Sequence, residues 1–245
     1  MSDFDGLTQD AFLGGKVQLL QPKIGYRAGV APVFLAASVN ALPGQCILDL
    51  GCGVGAAALC LGARIPDVEL IGVERQPDYA ELARRNGLET VCADLNDLPL
   101  MIRQKQFDHV IANPPYFDRN ASVAARNLGR EGALGEDTPL SVWMSVAAKR
   151  LKPKGYVHFI HRIERLPDLM AAVPAVMGSI QVLPLAPRIG RKAELVIFRA
   201  RKDGRAAFEL FSPCILHCGE RHERDGDSYM PEIKAVLRDG AALKF

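Results

Sequence analysis

Four short apolar runs set the framework of this chain. Cys46-Ile47-Leu48-Asp49-Leu50 runs into Gly51, and Val68-Glu69-Leu70-Ile71-Gly72-Val73 ends at Glu74. Thr90-Val91-Cys92 ends at Ala93-Asp94, and Phe107-Asp108-His109-Val110-Ile111-Ala112 stops at Asn113-Pro114. Runs of this length closed by polar or turn-forming residues read as strands, the last of them buried. Helical stretches lie between them, over residues 56–64 and 77–86. Downstream, residues 139–151 form an amphipathic pattern with Thr138 as cap and Pro139 at the first helical position. Residues 155–161 read as a strand, 164–177 as a helix broken near Pro174, and 180–185 with 193–200 as a closing hairpin. Alternation of this kind predicts an α/β fold with a doubly wound sheet.

The flanks are organised differently. Gly14-Gly15 suggests a hairpin turn, so a short ribbon is expected there, followed by a helix over 33–41 that Pro43-Gly44 stops. The expected division is an extension over residues 1–43 packing on a main domain over 44–245. A short appendage starts at about 206, with an apolar strand over 214–218, a polar turn at Arg224-Asp225-Gly226-Asp227 and a helix over 231–237. No internal repeat or low-complexity segment is visible.

Composition narrows the class only a little. The chain has 245 residues, 49% of them hydrophobic, which suffices for a full core. A net charge of +2 does not by itself announce a nucleic-acid binder. No stretch long and apolar enough for a membrane helix occurs, and Met1-Ser2-Asp3-Phe4-Asp5 is unlike a secretory leader, so the cytoplasm is the expected compartment. Six cysteines do not suggest a disulfide scaffold. Cys46, Cys52, Cys60 and Cys92 are expected to be small buried hydrophobes. Cys214, His217, Cys218 and His222 cluster, but their spacing is not a common zinc pattern, and no metal is expected.

The candidate chemistry sits where the strands end. At Asn113-Pro114-Pro115-Tyr116, two prolines stop a strand and stiffen the backbone. The Asn113 side-chain oxygen and the Pro114 carbonyl can each accept one N–H, and Tyr116 can stack on a planar ring. That set suits a base or amide bearing an NH2 group. Drawing both hydrogens out of the amine's plane leaves the nitrogen lone pair free to attack an electrophilic methyl group. Upstream, Gly51-Cys52-Gly53-Val54-Gly55 joins a strand to a helix, so backbone and helix N–H groups can approach a ligand closely. Glu74 lies about 20 residues further on, where a ribose diol is held in such folds. Asp94 is placed to accept a bond from an adenine amino group.

Asp49-Leu50-Gly51-Cys52-Gly53-Val54-Gly55, then Glu74, Asp94 and Asn113-Pro114-Pro115-Tyr116, resembles the class I S-adenosylmethionine-dependent methyltransferases that act on exocyclic or amide nitrogen. The resemblance implies a Rossmann-like, seven-stranded, mainly parallel sheet with a reversed final strand. It implies S-adenosylmethionine held by Asp49, Gly51, Cys52, Gly53, Gly55, Glu74, Asp94 and Asn113, with Asn113, Pro114, Pro115 and Tyr116 as catalytic candidates. A narrower similarity, to the bacterial tRNA (adenine-N6)-methyltransferases that modify an anticodon-loop adenine, spans nearly the whole chain. It includes Gln21-Pro22-Lys23, Gly25-Tyr26-Arg27-Ala28-Gly29, Arg130-Glu131, His161-Arg162-Ile163-Glu164-Arg165-Leu166, Ala193-Glu194-Leu195-Val196 and Asp227-Ser228-Tyr229-Met230-Pro231-Glu232. The chain departs from that family at Ala31, where an acid is common, and after Asn86, where the family runs several residues longer.

The implied partner is RNA, chiefly tRNA, with no membrane. Guanine N2 in rRNA, a release-factor glutamine and a small-molecule hydroxyl stay as alternative acceptors. No long helical domain precedes the glycine motif, as it does in release-factor methyltransferases. Basic residues that bear on RNA are Arg119, Arg126 and Arg130, then Arg188, Arg191 and Lys192, with Arg199, Arg201, Lys202 and Arg205 beyond; phosphate contact is expected from the loop after Tyr116 and from the turn over 187–192. His158, His161 and Cys52 are read as structural, since amine methylation at such a site needs no strong base before attack.

Overall fold

The structure is a computed structural model that describes residues 6–118, 135–136, 138–219 and 228–245. A ribbon, β1 (Leu7–Phe12) and β2 (Val17–Pro22), comes first, turning through Leu13–Gly15. Then follow α1 (Ala31–Ser38), β3 (Cys46–Leu50), α2 (Ala56–Arg64), β4 (Glu69–Glu74), α3 (Pro77–Arg85), β5 (Glu89–Cys92), α4 (Leu100–Gln104) and β6 (Phe107–Ala112). The two-residue strands β7 (Phe117–Asp118) and β8 (Gly135–Glu136) pair with each other. The second half holds α5 (Leu140–Arg150), β9 (Leu151–Arg162), α6 (Leu166–Ala171), β10 (Met177–Ala186) and β11 (Leu195–Lys202). The appendage adds β12 (Glu209–Leu210), β13 (Cys214–Ile215) and α7 (Pro231–Lys234).

One sheet organises the molecule, in the order β12-β10-β11-β9-β6-β3-β4-β5, with β13 also pairing β10. β3, β4, β5, β6 and β9 run parallel, and β11 runs against both of its neighbours, β9 and β10. The expected reversed strand is therefore β11. The sheet has nine strands rather than seven, because β12 and β13 add two short parallel pairings at the outer edge.

Period-two alternation builds a core on each face. Ile47, Ile111, Ile160 and Ile197 enter one buried cluster with Leu35 of α1 and Leu61 of α2. Leu48, Leu50, Val110, Phe159 and Phe198 enter the other, with Trp143 and Met144 of α5. A strand buried on both faces has little room for charge, so the charged residues fall at its ends. Glu74, Asp94 and Asn113 thereby come together at one edge of the sheet.

Several boundaries differ from the sequence reading. α1 starts before residue 33, with Pro32 in its first turn, and ends at Ser38. Thr138 does not cap α5; Pro139 does, and the Thr138 carbonyl instead accepts the Trp143 indole N–H at 3.1 Å. The helix expected over 164–177 shrinks to a 3-10 turn at Ile163–Arg165 plus α6, and Met177 already belongs to β10. Of the strand expected over 214–218 only Cys214–Ile215 pairs as β13, and His217 makes an isolated bridge to Tyr229. Cys52 and Cys60 are buried, whereas Cys92 is exposed and Cys46 half-buried. The polar turn at 224–227 lies outside the described residues.

Candidate active site

The carboxyl ends of β3, β4, β5 and β6 open onto a cleft. Its wall includes Gly51, Gly53, Glu74, Asp94, Asn113, Pro114, Pro115 and Tyr116, so most of the expected site residues meet there. Gly51 has φ +64°, and a Cβ on it would stand 2.5 Å from Trp143 Cη2, so only glycine fits between loop and indole. Gly53 has φ +55° and presents its N–H to Glu74 Oε2 at 2.9 Å. The other oxygen of Glu74 accepts the Gln76 N–H at 2.8 Å. Each carboxylate oxygen keeps a further lone pair for a ligand diol. Asp94 Oδ1 accepts the Asn96 backbone and side-chain N–H groups at 2.8 and 2.9 Å, which fixes the carboxylate at the end of β5.

Three of the expected cofactor residues stand off the cleft wall. Asp49 is 2% exposed, and its Oδ2 accepts the Ala58 N–H at 3.3 Å in the first turn of α2. Burial pushes its carboxyl up to about 8, against the Ala58 amide, and the nearby Glu74 adds to the rise. Cys52 is buried against Gly72, where a Cβ would come within 2.6 Å of its sulfur, and its N–H goes to the Val73 carbonyl. Gly55 caps α2. These residues shape the loop from behind.

Asn113 carries the most specific geometry. Its Nδ2 donates to Tyr26 Oη at 3.3 Å, while its Oδ1 is buried with no hydrogen-bond partner. A buried acceptor left open is costly, about 1–3 kcal/mol, and marks a place where a ligand donor belongs. Beside it, the Tyr116 ring lies 5.5 Å from the His161 ring at 48°. Burial pushes the Tyr116 phenol up, and the neighbouring Tyr26 adds to that. His161 is fully buried, and burial lowers it to about 4, with Arg165 next in effect. Its Nδ1 accepts the Arg162 N–H at 2.8 Å. The neutral ring packs beside Tyr116, with its Nδ1 lone pair already engaged by the Arg162 N–H.

Tyr26, Tyr79 and Trp143 also line the cleft, and sequence reasoning did not select them as site residues. Tyr26 stands in the segment Gly25-Tyr26-Arg27, which has no periodicity to place it. Trp143, the sole tryptophan, sits on the buried side of an amphipathic helix.

The basic residues separate by sheet edge. The turn after β10 lies on the cleft side, and there Arg191 and Lys192 are exposed beside Arg162. Arg188, grouped with them on sequence, is 7% exposed and is corrected to a structural role. Its guanidinium donates to the Cys218 and Gly219 carbonyls and to Ser228 Oγ. Lys202 ends the reversed β11 on the side away from the cleft, while Arg199 and Arg201 stand along it, opposite His158 and Tyr156 of β9. Arg199 binds Gln181, Arg201 the Lys154 carbonyl, and Lys202 the Ala148 and Leu151 carbonyls. Arg119, Arg126, Arg130 and His222 lie outside the described residues. Among the described residues, no group of three metal-ligating side chains occurs, and no helix is long and apolar enough to cross a membrane.

Known proteins are similar to this chain in sequence and in fold. A family described as a methyltransferase domain matches residues 47–130. A tRNA1(Val) (adenine(37)-N6)-methyltransferase of Actinobacillus succinogenes is 33% identical over 188 residues, covering 72% of this chain and 77% of that protein. A release factor glutamine methyltransferase of Escherichia coli is 41% identical, but over only 76 residues, 29% of this chain and 27% of that one. In three dimensions, the crystal structure of a predicted O-methyltransferase, protein Atu636 from Agrobacterium tumefaciens, superposes with a TM-score of 0.69 at 25% identity. The match covers 87% of this chain and 98% of that one.

Proposed function

The chain belongs to the family of the tRNA1(Val) (adenine(37)-N6)-methyltransferases, and from that premise we propose that it methylates the N6 amino group of an adenine in tRNA. The observation that carries the reading is Asn113 Oδ1, buried at a strand's carboxyl end with no partner in the protein. A hydroxyl acceptor brings one hydrogen, whereas an amine brings two and needs two acceptors. Asn113 Oδ1 and the adjacent Pro114 carbonyl supply such a pair.

The residues present fit S-adenosylmethionine. Gly51 leaves no room for a side chain, Glu74 keeps a lone pair free on each oxygen, and Asp94 sits on the same wall. When bound, the cofactor supplies an electrophilic methyl group. Gly51 and Gly53 then bring backbone close to it, Glu74 receives ribose hydroxyls, and Asp94 receives the adenine amine. Tyr116, braced by His161, stacks on the flipped acceptor base. Asn113 and Pro114 draw the two amine hydrogens aside and expose the nitrogen lone pair. Arg191 and Lys192, exposed on the cleft side, meet RNA phosphates.

The test uses labelled cofactor with total tRNA, rRNA and release factor, each from a strain lacking this gene. Nucleoside mass spectrometry is expected to find N6-methyladenosine in the tRNA. Label confined to guanosine or to protein overturns the choice of acceptor. Asn113→Ala is expected to reduce transfer about 100-fold or more while cofactor affinity holds.

A further inference from the structure

We propose that Arg162 grips the phosphate of the nucleotide whose base enters the cleft, giving up the Glu164 carboxylate to do so. The proposal rests on the reading of the acceptor as an adenine in tRNA.

A base that leaves its stack brings its own sugar and phosphate to the mouth of the pocket. A cation beside the wall on which that base stacks can hold it there. Arg162 stands in that place. It is the last residue of β9 and follows His161, whose ring packs against Tyr116. Burial pushes the Tyr116 phenol up and Tyr26 adds to that, while the Arg162 charge pulls the other way, so the guanidinium lies within electrostatic reach of the ring. On its other side Arg162 shares a surface groove with Arg191 and Lys192. It thus joins the base pocket to the basic turn.

The backbone under this side chain is clamped. The Arg162 N–H is bonded to His161 Nδ1 at 2.8 Å, and the Ile163 N–H to the Glu194 carbonyl at 2.9 Å. The guanidinium itself is held loosely. Nε and Nη2 donate to the two oxygens of Glu164, each at 3.3 Å, longer than the roughly 2.7–2.9 Å of a strong charge-assisted pair. Both side chains meet solvent, at 39% and 62% exposure, where such a pair contributes little. A phosphate offers the same two-oxygen face to the arginine fork. One bidentate partner can therefore replace the other while the backbone stays in place.

Variants of opposite sign test the exchange. Single-turnover transfer is measured with saturating cofactor and total tRNA from a strain lacking this gene. Arg162→Ala is expected to lower the rate about tenfold or more, the loss of one charge-assisted pair, with cofactor Kd and Tm held. Glu164→Gln removes the competing carboxylate and is expected to raise the rate about two- to threefold. A merely structural ion pair would make both variants lose alike, and a Glu164→Gln rate at or below wild type overturns the exchange. The contact itself is read on the tRNA that takes the label, reassembled with a neutral methylphosphonate at the 5′ or the 3′ phosphate of the methylated adenosine. At one of the two, the wild-type rate is expected to fall about tenfold and the Arg162→Ala rate by less than about twofold. Losses of equal size in the two proteins at both positions overturn the contact. If wild type puts no label on adenosine in tRNA, the reading of the acceptor falls and this role with it. If it does and Arg162→Ala matches wild type, only the role of Arg162 falls.

Discussion

Replacing Gly51 by alanine tests whether the glycine loop and Trp143 form one packing unit. At φ +64° an L side chain is strained by about 1–2 kcal/mol. The added Cβ would also stand 2.5 Å from Trp143 Cη2 and 2.9 Å from Cζ3, well inside the roughly 3.5 Å at which carbons attract. The indole has little freedom to withdraw. It is 7% exposed, its N–H is bonded to the Thr138 carbonyl, and it is packed against the sheet. Overpacking of this kind costs about 1–3 kcal/mol. Together the terms predict a loss of about 2–5 kcal/mol, or roughly 5–15 °C in Tm for a chain of this size. Urea and thermal unfolding without cofactor measure it. The same substitution on a Trp143→Leu background isolates the ring, and there only the backbone share should remain, about 1–2 kcal/mol. An equal cost on both backgrounds would refute the contact as the obstacle. A loss below about 0.5 kcal/mol would refute the whole argument, since that is the size of an ordinary surface change.

Glu74→Ala is expected to weaken S-adenosylmethionine binding at least about thirtyfold by calorimetry, roughly 2 kcal/mol, and an unchanged Kd removes Glu74 from the cofactor site. Arg191→Ala with Lys192→Ala should weaken tRNA binding and flatten its salt dependence by a log–log slope of roughly 1–2 at constant Tm. Arg188→Ala should instead lower Tm, because its guanidinium holds the Cys218 and Gly219 carbonyls. The opposite pattern would reverse both assignments. Acid should weaken the fold through its buried histidines, while Asp49, held up at about 8, takes its proton earlier and opposes that loss. Burial holds His109 and His161 down at about 4, so below about 6.5 the unfolded chain takes up protons that the folded chain refuses. Stability therefore falls as pH drops from about 6.5 to 4, by roughly 2 kcal/mol per ring at pH 5. Urea unfolding on an Asp49→Asn background, which removes the opposing carboxyl, would sink this account if it gave the same stability at pH 7 and pH 5.

Much of the site was legible because strands punctuate themselves. β4 and β6 are buried on both faces toward their carboxyl ends, so Glu74 and Asn113 could appear only there, and parallel pairing through β3 and with β5 put those ends and Asp94 side by side. What failed to show was anything decided across long stretches of chain. Tyr26 belongs to a segment without periodicity, and its contact with Asn113 depends on how the first ribbon lies over α3. The pattern of α5 says that Trp143 is buried but not that it faces Gly51. Charge was visible and its use was not. The reversal of β11 carries Lys202 to the end opposite the cleft, Arg199 and Arg201 are tied to Gln181 and to the Lys154 carbonyl, and burial turns Arg188 inward to backbone carbonyls. Cys92 misled for a simpler reason, since β5 is the edge strand of the sheet and one side of it meets solvent.

Asn86 follows α3 and is followed by Gly87, the dipeptide most prone to deamidation, because a bare glycine amide can reach the side-chain carbonyl carbon. Here that chemistry is locked. Asn86 Oδ1 accepts the Leu20 N–H at 2.8 Å, and Nδ2 donates to the Leu20 and Val54 carbonyls at 3.1 and 2.9 Å. The attacking group is also occupied, with the Gly87 N–H bonded to the Arg84 carbonyl at 2.9 Å. Aged protein should therefore gain aspartate or isoaspartate at 86 only while the ribbon is detached, and peptide mapping after storage with and without mild denaturant reads this directly. Once formed, an acid at 86 would turn a charge toward two carbonyls, so a single spontaneous hydrolysis would prise the ribbon from the glycine loop and make the damage self-reinforcing.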